Sequence, residues 1–460
     1  MRYVNRTMYF KFARLSTKVI VLSAFIELLS TMLMLIRFGI SKCTLKNEYL
    51  KVLEDYIKMP IVFCIILGSV LTVLGIVLSI VEPKSSRIKH MIRKGLFAYQ
   101  YGNPLHLKDG ELLPRVKCRR AIDEGNFILT IYTRSIPIEE IQDCAPNICA
   151  ILNRKFSNYA VTVINSDVSC SYVSFLLEDV TIDKSFTFHN VSDMKPESPT
   201  RIKIQVGTEI DLTTSGSILV AGKTRSGKTT GIISILIQAL LCGCDSYNSR
   251  ICIIDPKKAE LSVLPGVVTV DDDGEAKAIL KAVKDFADLV STRQQIMNDK
   301  SKKLGDSLHW WDIGMHPCFL FIDEYVACRT LYPRKAEKES DYCIATFDSI
   351  IKRIVTMGAS AGCFVIISIA EASVDEGGLP TMLKNAMSTK VLFRPTMNEG
   401  RLMWNGEKLK AFSERVYNQG DAWFSSTDGI HDDVSFVHFP HMDFPVYREL
   451  GRLLANYDTV

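Results

Sequence analysis

A short stretch near the middle of the chain has the composition and spacing of a phosphate-binding turn. Residues 222–229 read Gly-Lys-Thr-Arg-Ser-Gly-Lys-Thr, a full match to the pattern GxxxxGK[ST]. In such a turn the backbone N–H groups face phosphate oxygens, Lys228 reaches the β and γ phosphates, and the Thr229 hydroxyl ligates Mg²⁺. The pattern therefore predicts binding of ATP with Mg²⁺. The residues expected to contact the nucleotide are Gly222, Lys223, Thr224, Arg225, Ser226, Gly227, Lys228, Thr229 and Thr230.

Two adjacent acids follow about 95 residues after the lysine, at the end of the apolar run Cys318–Ile322. We expect Asp323 to hold Mg²⁺, directly or through water, and Glu324 to orient and deprotonate the attacking water. An apolar run that ends in two acids is also typical of a capped strand. Its position after the phosphate-binding pattern favours the catalytic interpretation.

The elements around these motifs predict an α/β domain. After Thr208, β-branched runs alternate with helical runs, as in a mostly parallel sheet with helices on both faces. Ligands bind at the carboxyl ends of the strands in such sheets, where the turn and Asp323 would lie. The predicted strands are 218–221, 251–255, 318–323, 363–369, 390–393 and 422–424, and the clearest helices are 275–298 and 341–356.

The N-terminal part contains two apolar segments, at about 19–38 and 60–81, long enough to cross a membrane. Glu27 lies within the first, so we expect it to be protonated, partnered or near an interface. Lysines and arginines precede the first segment and follow the second, which predicts a hairpin in the cell membrane with both ends in the cytoplasm. A cleaved signal peptide is the alternative for the first segment, but no A-x-A site follows it.

The region between the spans and the α/β domain has no motif with recognisable chemistry. A strand at 127–132, a helical stretch at 138–156 and strands at 159–164 and 172–177 predict a small α+β domain. The net charge of +4 decides nothing alone, and the 13 scattered cysteines favour a reducing compartment. The predicted domains are a membrane anchor at 1–90, the α+β domain at 91–203, and the P-loop ATPase domain at 204–460.

A third motif narrows the family. Residues 253–261, Ile-Ile-Asp-Pro-Lys-Lys-Ala-Glu-Leu, resemble the "DPK…EL" strand end of the FtsK/SpoIIIE DNA translocases. Three further segments follow in the same order as in that family. Residues 350–353 resemble a family helix, Val374-Asp375 resembles the "RPSVD" stretch, and residues 420–422 resemble the "GDM" segment. The layout is most similar to the coupling ATPases of Gram-positive conjugative transposons and plasmids.

This resemblance implies a RecA-like motor that forms a homo-hexamer around DNA and hydrolyses ATP between subunits. It adds Asp255 to the nucleotide-binding residues and implies a relaxase and secretion-channel proteins as partners. Two polar residues of the family are missing here. The position of its sensor Gln falls within residues 369–372, which read Ile-Ala-Glu-Ala, and that of its "GRxxG" arginine within residues 358–362, which read Gly-Ala-Ser-Ala-Gly. Nucleotide binding is therefore a firmer expectation than fast hydrolysis. Arg401 aligns best with a catalytic arginine that acts across the subunit boundary; Arg394 and Arg353 are further candidates.

Two other functions stay open from the sequence. Type VII protein-secretion ATPases share this domain, although they usually string several P-loop domains together and one is seen here. A nucleotide-gated docking protein with little turnover is compatible with the alanines at 359 and 370. DNA contacts could come from the basic runs at 300–303 and 329–338 or from the pair Trp310-Trp311. Basic runs of this kind are more often solvated loops, and such tryptophans are more often buried in the core.

Overall fold

A computed structural model describes the residues 14–42, 48–97, 104–105, 107, 113–122, 125–134, 136–336, 340–370, 379–404 and 417–457. The chain divides into two compact units, Met1–Val180 and Thr181–Val460. Some sequence predictions fall outside the described residues. They concern three of the basic residues that precede the first apolar segment (Arg2, Arg6 and Lys11), Lys338 of the second basic run, Glu371 and Ala372, and Val374-Asp375.

The first unit begins with an antiparallel pair of long helices, α1 (Leu15–Lys42) and α2 (Glu48–Val81). Both are long and apolar enough to cross a membrane. An ion pair between the helices lies near each end of the pair, Arg14–Glu82 at 3.3 Å and Arg37–Glu54 at 3.5 Å. These pairs hold the two helices in one register.

Small residues form the seam between α1 and α2. The buried residues of α1 are three serines spaced seven apart, and the buried residues among the described part of α2 have the same spacing. A Cβ on Gly75 would come within 2.6 Å of Ile20, so glycine allows the close approach. Such small-residue contacts are the usual basis of helix packing in lipid. The two rows are Ser16, Ser23 and Ser30, and Ile61, Gly68 and Gly75.

Glu27 faces this seam. Its carboxylate accepts a hydrogen bond from the Thr72 hydroxyl at 3.3 Å, and its Cγ lies 2.9 Å from where a Cβ on Gly68 would be. The sequence predicts that Glu27 is protonated, partnered or near an interface. The structure shows a hydrogen-bond partner on α2.

The rest of the first unit is the predicted small α+β domain. Its antiparallel sheet has the order β1-β2-β4-β3. Helices α3 and α5 pack against it, with Ile88, Ile92, Ile148 and Leu152 fully buried. The elements are α3 (Lys84–Phe97), β1 (Val116–Arg120), β2 (Phe127–Tyr132), α4 (Ile138–Gln142), α5 (Ala145–Leu152), β3 (Tyr159–Ser166) and β4 (Tyr172–Asp179).

The second unit is built on a seven-stranded sheet with the order β14-β13-β12-β8-β11-β10-β9. Strands β12, β8, β11, β10 and β9 are parallel, and β13 and β14 are antiparallel additions at one edge. The elements are β5 (Thr187–Phe188), β6 (Arg201–Gln205), β7 (Thr208–Asp211), β8 (Ile218–Gly222), α6 (Lys228–Leu241), β9 (Ile251–Ile254), α7 (Lys277–Leu304), β10 (Cys318–Ile322), α8 (Tyr325–Thr330), α9 (Ile344–Met357), β11 (Cys363–Ile369), α10 (Thr381–Ala386), β12 (Thr389–Phe393), α11 (Met397–Met403), β13 (Asp421–Ser426), β14 (Ser435–His438), β15 (His441–Met442) and α12 (Val446–Tyr457).

Helices cover both faces of this sheet. Alternate side chains of the central strands, such as Phe319, Phe364 and Ile366, pack with α6 and α12 in one apolar cluster. Helix α9 contacts β11 and buries its own apolar residues, including Phe347 and Ile351, outside that cluster. Every residue of β8, β10 and β11 is buried, as a continuous apolar run in a doubly covered parallel sheet requires.

The unit that contains the P-loop begins at Thr181. It therefore includes residues 181–203, which the sequence-based boundaries place with the α+β domain. In the structure β6 pairs with β7, and β5 pairs with β15 near the end of the chain.

Candidate functional site

The phosphate-binding turn connects β8 to α6, as the sequence pattern predicts. Gly227 stands at the start of α6 with a left-handed backbone (φ 98°), and no side chain caps that helix. The first-turn N–H groups of an uncapped helix are the donors that bind an anion. The turn also contains a buried Ser226 hydroxyl that has no hydrogen-bond partner within the described part of the chain. These features fit a bound triphosphate.

A backbone segment from the far end of the unit supports this turn. Gly420 donates its N–H to the Ser226 carbonyl at 3.2 Å. A Cβ on Gly227 would lie 2.7 Å from that same Gly420 nitrogen, so no larger residue fits there. The sequence resemblance singled out Gly420-Asp421 without a role, and the structure places Gly420 directly against the P-loop.

Lys228 is the first residue of α6, and its side chain points toward the carboxyl ends of β10 and β11. Its ammonium group donates to the Ile369 carbonyl at 3.2 Å and lies 3.6 Å from a Glu324 oxygen. The side chain is only 12% exposed. The structure thus brings the predicted phosphate lysine to the predicted catalytic acid.

Asp323 directly follows β10 and is bonded to the neighbouring strand. Its carboxylate accepts a hydrogen bond from the Ser368 hydroxyl at 3.0 Å. Burial raises the pKa of Asp323 above its ordinary value, and the nearby Lys228 ammonium and the Ser368 bond oppose that rise. Ser368 comes from β11, between the P-loop strand and the acidic strand, and sequence reasoning did not find it.

Glu324 has a strained backbone and three close partners. Its φ of 51° is left-handed, which is costly for a non-glycine residue and is common at functional sites. One carboxylate oxygen accepts the N–H of Ala370 at 3.0 Å. The other lies 3.5 Å from the Lys257 ammonium as well as 3.6 Å from that of Lys228. Both Lys257 and the Ala370 N–H were missed by sequence reasoning.

Asp255 is fully buried, and both of its oxygens are used inside its own turn. They accept the N–H groups of Lys257 at 3.1 Å and of Ala259 at 2.8 Å. The carboxylate therefore shapes the turn that presents Lys257 to Glu324. Direct contact between Asp255 and a nucleotide stays a prediction.

The Mg²⁺ donors that the sequence predicts are two oxygens from different elements of the sheet edge. Among the described residues no three His, Cys, Asp or Glu side chains form a metal cluster. The predicted donors are the Thr229 hydroxyl and the Asp323 carboxylate. Mg²⁺ commonly takes one or two protein oxygens and completes its shell with phosphate and water, so this set fits a nucleotide-bound ion.

Five of the remaining predicted residues, on the turn, at the start of α6 and on α11, have exposed side chains. The Lys223 ammonium lies 3.8 Å from the buried carboxylate of Glu399 on α11. Arg401, on the same helix, has an exposed side chain, so a role across a subunit boundary stays a prediction. Exposed side chains are also found at Thr224, Arg225 and Thr230.

The other candidate cations and aromatics have different surroundings. Arg353 lies 4.0 Å from Asp288, a surface ion pair. Arg394 is exposed, with a left-handed φ of 44°. Lys300 donates to the Tyr247 hydroxyl at 2.8 Å, and Trp310 is buried in the core.

Comparison with known proteins fits this site. A model of the FtsK/SpoIIIE family matches residues 185–309, which include the turn and Asp255. The FtsK domain-containing protein YdcQ of Bacillus subtilis is 28% identical over 199 residues, 42% of this chain and 38% of that protein. The DNA translocase FtsK of Clostridium acetobutylicum is 25% identical over 290 residues, 57% of this chain and 33% of that protein.

The matched region spans only 38% and 33% of the length of these two relatives. Among solved structures, the pCW3 conjugation coupling protein TcpA with ATPγS is 16% identical, with a TM-score of 0.47 over 74% of this chain and 93% of that chain. The ATPase 2 and 3 region of EssC from Geobacillus thermodenitrificans is 16% identical, with a TM-score of 0.41 over 61% of this chain and 53% of that chain.

The predicted resemblance to the FtsK/SpoIIIE family is confirmed over residues 185–309, and the structure confirms the predicted mostly parallel sheet with the P-loop at the end of β8. In the sheet, β11 separates the P-loop strand β8 from the acidic strand β10. That order places Lys228 between Ile369 and Glu324, at the carboxyl edge where the family's chemistry is expected.

Proposed function

We propose that this protein is a membrane-anchored, ATP-dependent DNA translocase that acts as a coupling protein in conjugative transfer. It would deliver relaxase-bound DNA to a secretion channel. The observation that carries the proposal is the meeting of Lys228, Asp323 and Glu324 at one sheet edge, in a chain with an FtsK/SpoIIIE segment. The order of the family motifs and the two apolar N-terminal helices support it.

The roles of the chain's own groups follow from their positions. The N–H groups of the turn and Lys228 bind the phosphates, and Thr229 and Asp323 hold Mg²⁺. Mg²⁺, when bound, supplies neutralisation of charge on the β and γ phosphate oxygens. Glu324 accepts the proton of the attacking water. Its strained backbone and the Ala370 N–H hold the carboxylate in place for that step.

The assembly is part of the same proposal. The helices α1 and α2 anchor the chain in the cell membrane, with both ends in the cytoplasm. The P-loop units form a homo-hexamer around DNA, bound without sequence specificity, and Arg401 of one subunit completes the site of the next.

A nucleotide-gated docking protein with little turnover is the second candidate. Position 370, where the family places its sensor Gln, is an alanine here, and the contact to Glu324 comes from its backbone N–H. Glu324 is also paired with Lys228. A site of this kind could bind ATP and hydrolyse it slowly.

ATP binding and turnover of the full-length protein in lipid nanodiscs test the proposal. We expect Mg²⁺-dependent ATP hydrolysis that is stimulated by DNA. Lys228→Ala should abolish ATP binding, because it removes the main cation of the phosphate site. Glu324→Gln should keep binding and reduce turnover by about 100-fold or more, the usual effect of losing a positioned general base.

The outcomes separate the candidates. Tight ATP binding with turnover no faster than that of Lys228→Ala would favour the docking protein and exclude the motor. Transfer of the conjugative element should collapse in cells that carry Lys228→Ala; unchanged transfer would remove this protein from that pathway.

A further inference from the structure

Within the described part of the small α+β domain, helices cover one face of the sheet and the other face is partly exposed. Along β2, the buried residues Phe127, Leu129 and Ile131 alternate with partly exposed ones. Side chains alternate between the two faces of a strand. The buried set packs under α3 and α5, so the exposed set faces away from these helices.

The strand register places the partly exposed residues of β1, β2 and β4 opposite one another, in rows that run across this face of the sheet. Lys117 lies opposite Thr130, which lies opposite Ser174, and Arg119 lies opposite Ile128. Tyr132 lies opposite Tyr172. We call the set the open face; it consists of Lys117, Arg119, Ile128, Thr130, Tyr132, Tyr172, Ser174 and Leu176.

Two aromatic rings and two cations meet at one end of the open face. The ring centroids of Tyr132 and Tyr172 are 5.9 Å apart and tilted by 56°, so the rings do not cover each other. The Lys117 ammonium lies 5.1 Å from the Tyr132 centroid and the Arg115 guanidinium 5.7 Å from it. A cation–π contact at an exposed site is weak, and both side chains are long enough to move aside.

The charge of this end is positive. The pKa of the Tyr132 hydroxyl is lowered, first by its hydrogen bond with Lys117 and further by the charges of Lys117, Arg115 and Arg119. The acid of the adjoining hairpin, Asp167, is bonded to the hydroxyls of Ser169 and Ser171. In the next row Glu178 accepts a bond from Asn126 at 3.4 Å. The three rows of the open face contain no acid.

We propose that the open face binds a single strand of nucleic acid. One base stacks on Tyr132 and another on Tyr172, while Lys117, Arg119 and Arg115 contact the phosphates. Sheet faces that combine aromatic platforms with flanking cations bind single strands in this way, largely without sequence preference. The proposal does not depend on ATP hydrolysis by the second unit.

The chemistry favours a single strand over a duplex or a lipid surface. Bases within a duplex stack on one another, so their faces are not available to the tyrosines. An anionic membrane would be attracted by the cations. Tyr132 and Tyr172, however, lie next to each other on neighbouring strands, and this arrangement suits the stacking of two successive bases.

The test uses the full-length protein in nanodiscs of phosphatidylcholine, without nucleotide. The probes are fluorescein-labelled dT20 and a 20-base-pair duplex, with binding followed by fluorescence anisotropy. Tyr132→Ala and Tyr172→Ala should each weaken dT20 binding about tenfold, within the range for loss of one stacked base. Both should leave duplex binding unchanged. Lys117→Ala should reduce the dependence of dT20 affinity on salt.

Matched variants separate stacking from folding. Tyr132→Phe and Tyr172→Phe keep the rings and should bind dT20 like the wild type. Lys155→Ala, an exposed cation of the same domain outside the open face, should leave the salt dependence unchanged. Equal dT20 affinity for the wild type and both Ala variants would overturn the proposal.

Two further measurements locate the contact. Ultraviolet cross-linking of 5-iodouridine-containing oligonucleotide should attach it to the peptides that contain Tyr132 or Tyr172. Cross-links confined to the second unit would contradict the proposal. Flotation with phosphatidylserine vesicles that is lost in Lys117→Ala, together with unchanged dT20 binding, would assign the open face to the membrane instead.

Discussion

At the scale of single residues, the most informative group is the Glu324 carboxylate. It lies between two lysine ammonium groups and accepts one backbone N–H, on a residue whose own backbone is strained. Strain of this kind costs about 1–3 kcal/mol and persists only where the surroundings fix it. When Lys228 turns to a bound phosphate, Lys257 remains as the cation beside Glu324.

This arrangement predicts a distinct role for Lys257. We expect Lys257→Met to lower kcat by about tenfold, since it removes the cation that holds Glu324 during turnover. ATP affinity should change little, because Lys228 and the turn bind the phosphates. Steady-state ATPase and ATP titration by calorimetry measure the two effects.

The neighbouring Lys258 provides the control. It is an exposed lysine in the same turn, so Lys258→Met should leave both kcat and affinity unchanged. If Lys257→Met weakened ATP binding as strongly as Lys228→Met while kcat was preserved, Lys257 would belong to the phosphate site instead.

The sequence predicts only part of this site. Lys228, Asp323 and Glu324 follow from motifs, because their side chains carry the chemistry and their spacing is fixed by strands and turns. Gly420 and Ala370 contribute backbone N–H groups, which any residue type other than proline has. Ser368 is one ordinary residue of an apolar strand. Only the three-dimensional order of the strands shows that these groups converge.

At the scale of elements, the seam between α1 and α2 depends on residues without bulk. Lipid gives little hydrophobic drive for two apolar helices to associate, so close backbone approach and a few polar contacts must hold them. Gly68 and Gly75 permit that approach, and the Ser23 and Thr72 hydroxyls are 3.1 Å apart across the seam.

The seam predicts a specific cross-link. In a Ser23→Cys, Thr72→Cys variant a disulfide should form readily in membranes under mild oxidation, as found by peptide mass mapping. Adding Gly75→Leu should reduce its yield several-fold, because the side chain would enter the space of Ile20. Adding Gly39→Leu should not, since nothing lies within 4 Å of a Cβ at that position. Equal loss in both would show that the seam is not as described.

The turn before β11 gives a second test at this scale. Gly362 has a φ of 67°, and a Cβ there would lie 2.7 Å from the buried Trp310 ring. We expect Gly362→Ala to lower the free energy of unfolding by about 2–5 kcal/mol, the sum of the costs of a left-handed alanine and of an overpacked core. The midpoint of thermal unfolding measures the loss.

Gly305 is the matched control for that substitution. It is also left-handed, with a φ of 77°, but nothing lies within 4 Å of its Cβ position. Gly305→Ala should therefore cost only the backbone part, about 1–2 kcal/mol. Equal losses for the two variants would mean that the ring of Trp310 does not constrain the turn.

Long apolar or alternating runs made most elements predictable. The strands at 218, 318 and 363 start as expected, and their ends differ by no more than one residue. Strand β1 was missed because it carries three cations, and β14 because it is a short edge strand. The order of the strands could not be predicted from the sequence, since the residues of β8 pair with residues 148 and 171 positions further along the chain.

At the scale of the whole molecule, the proposal requires the hairpin to lie in the membrane with the second unit in the cytoplasm. A reporter active only outside the cytoplasm should work when inserted after Asn47 and fail when fused after Val460. The excess of basic residues on the two outer flanks of the hairpin is the physical reason. Activity at Val460 would reverse the orientation, and activity at neither position would argue against a hairpin.

The bond from the Ala370 N–H to Glu324 has a consequence for which residues position 370 can accept. A backbone N–H does not depend on the side chain of its residue. Almost any amino acid at position 370 can therefore donate this hydrogen bond to Glu324. Proline is the exception, because it lacks the hydrogen. Changes of side chain at position 370 therefore leave the backbone hydrogen bond that holds the Glu324 carboxylate in place.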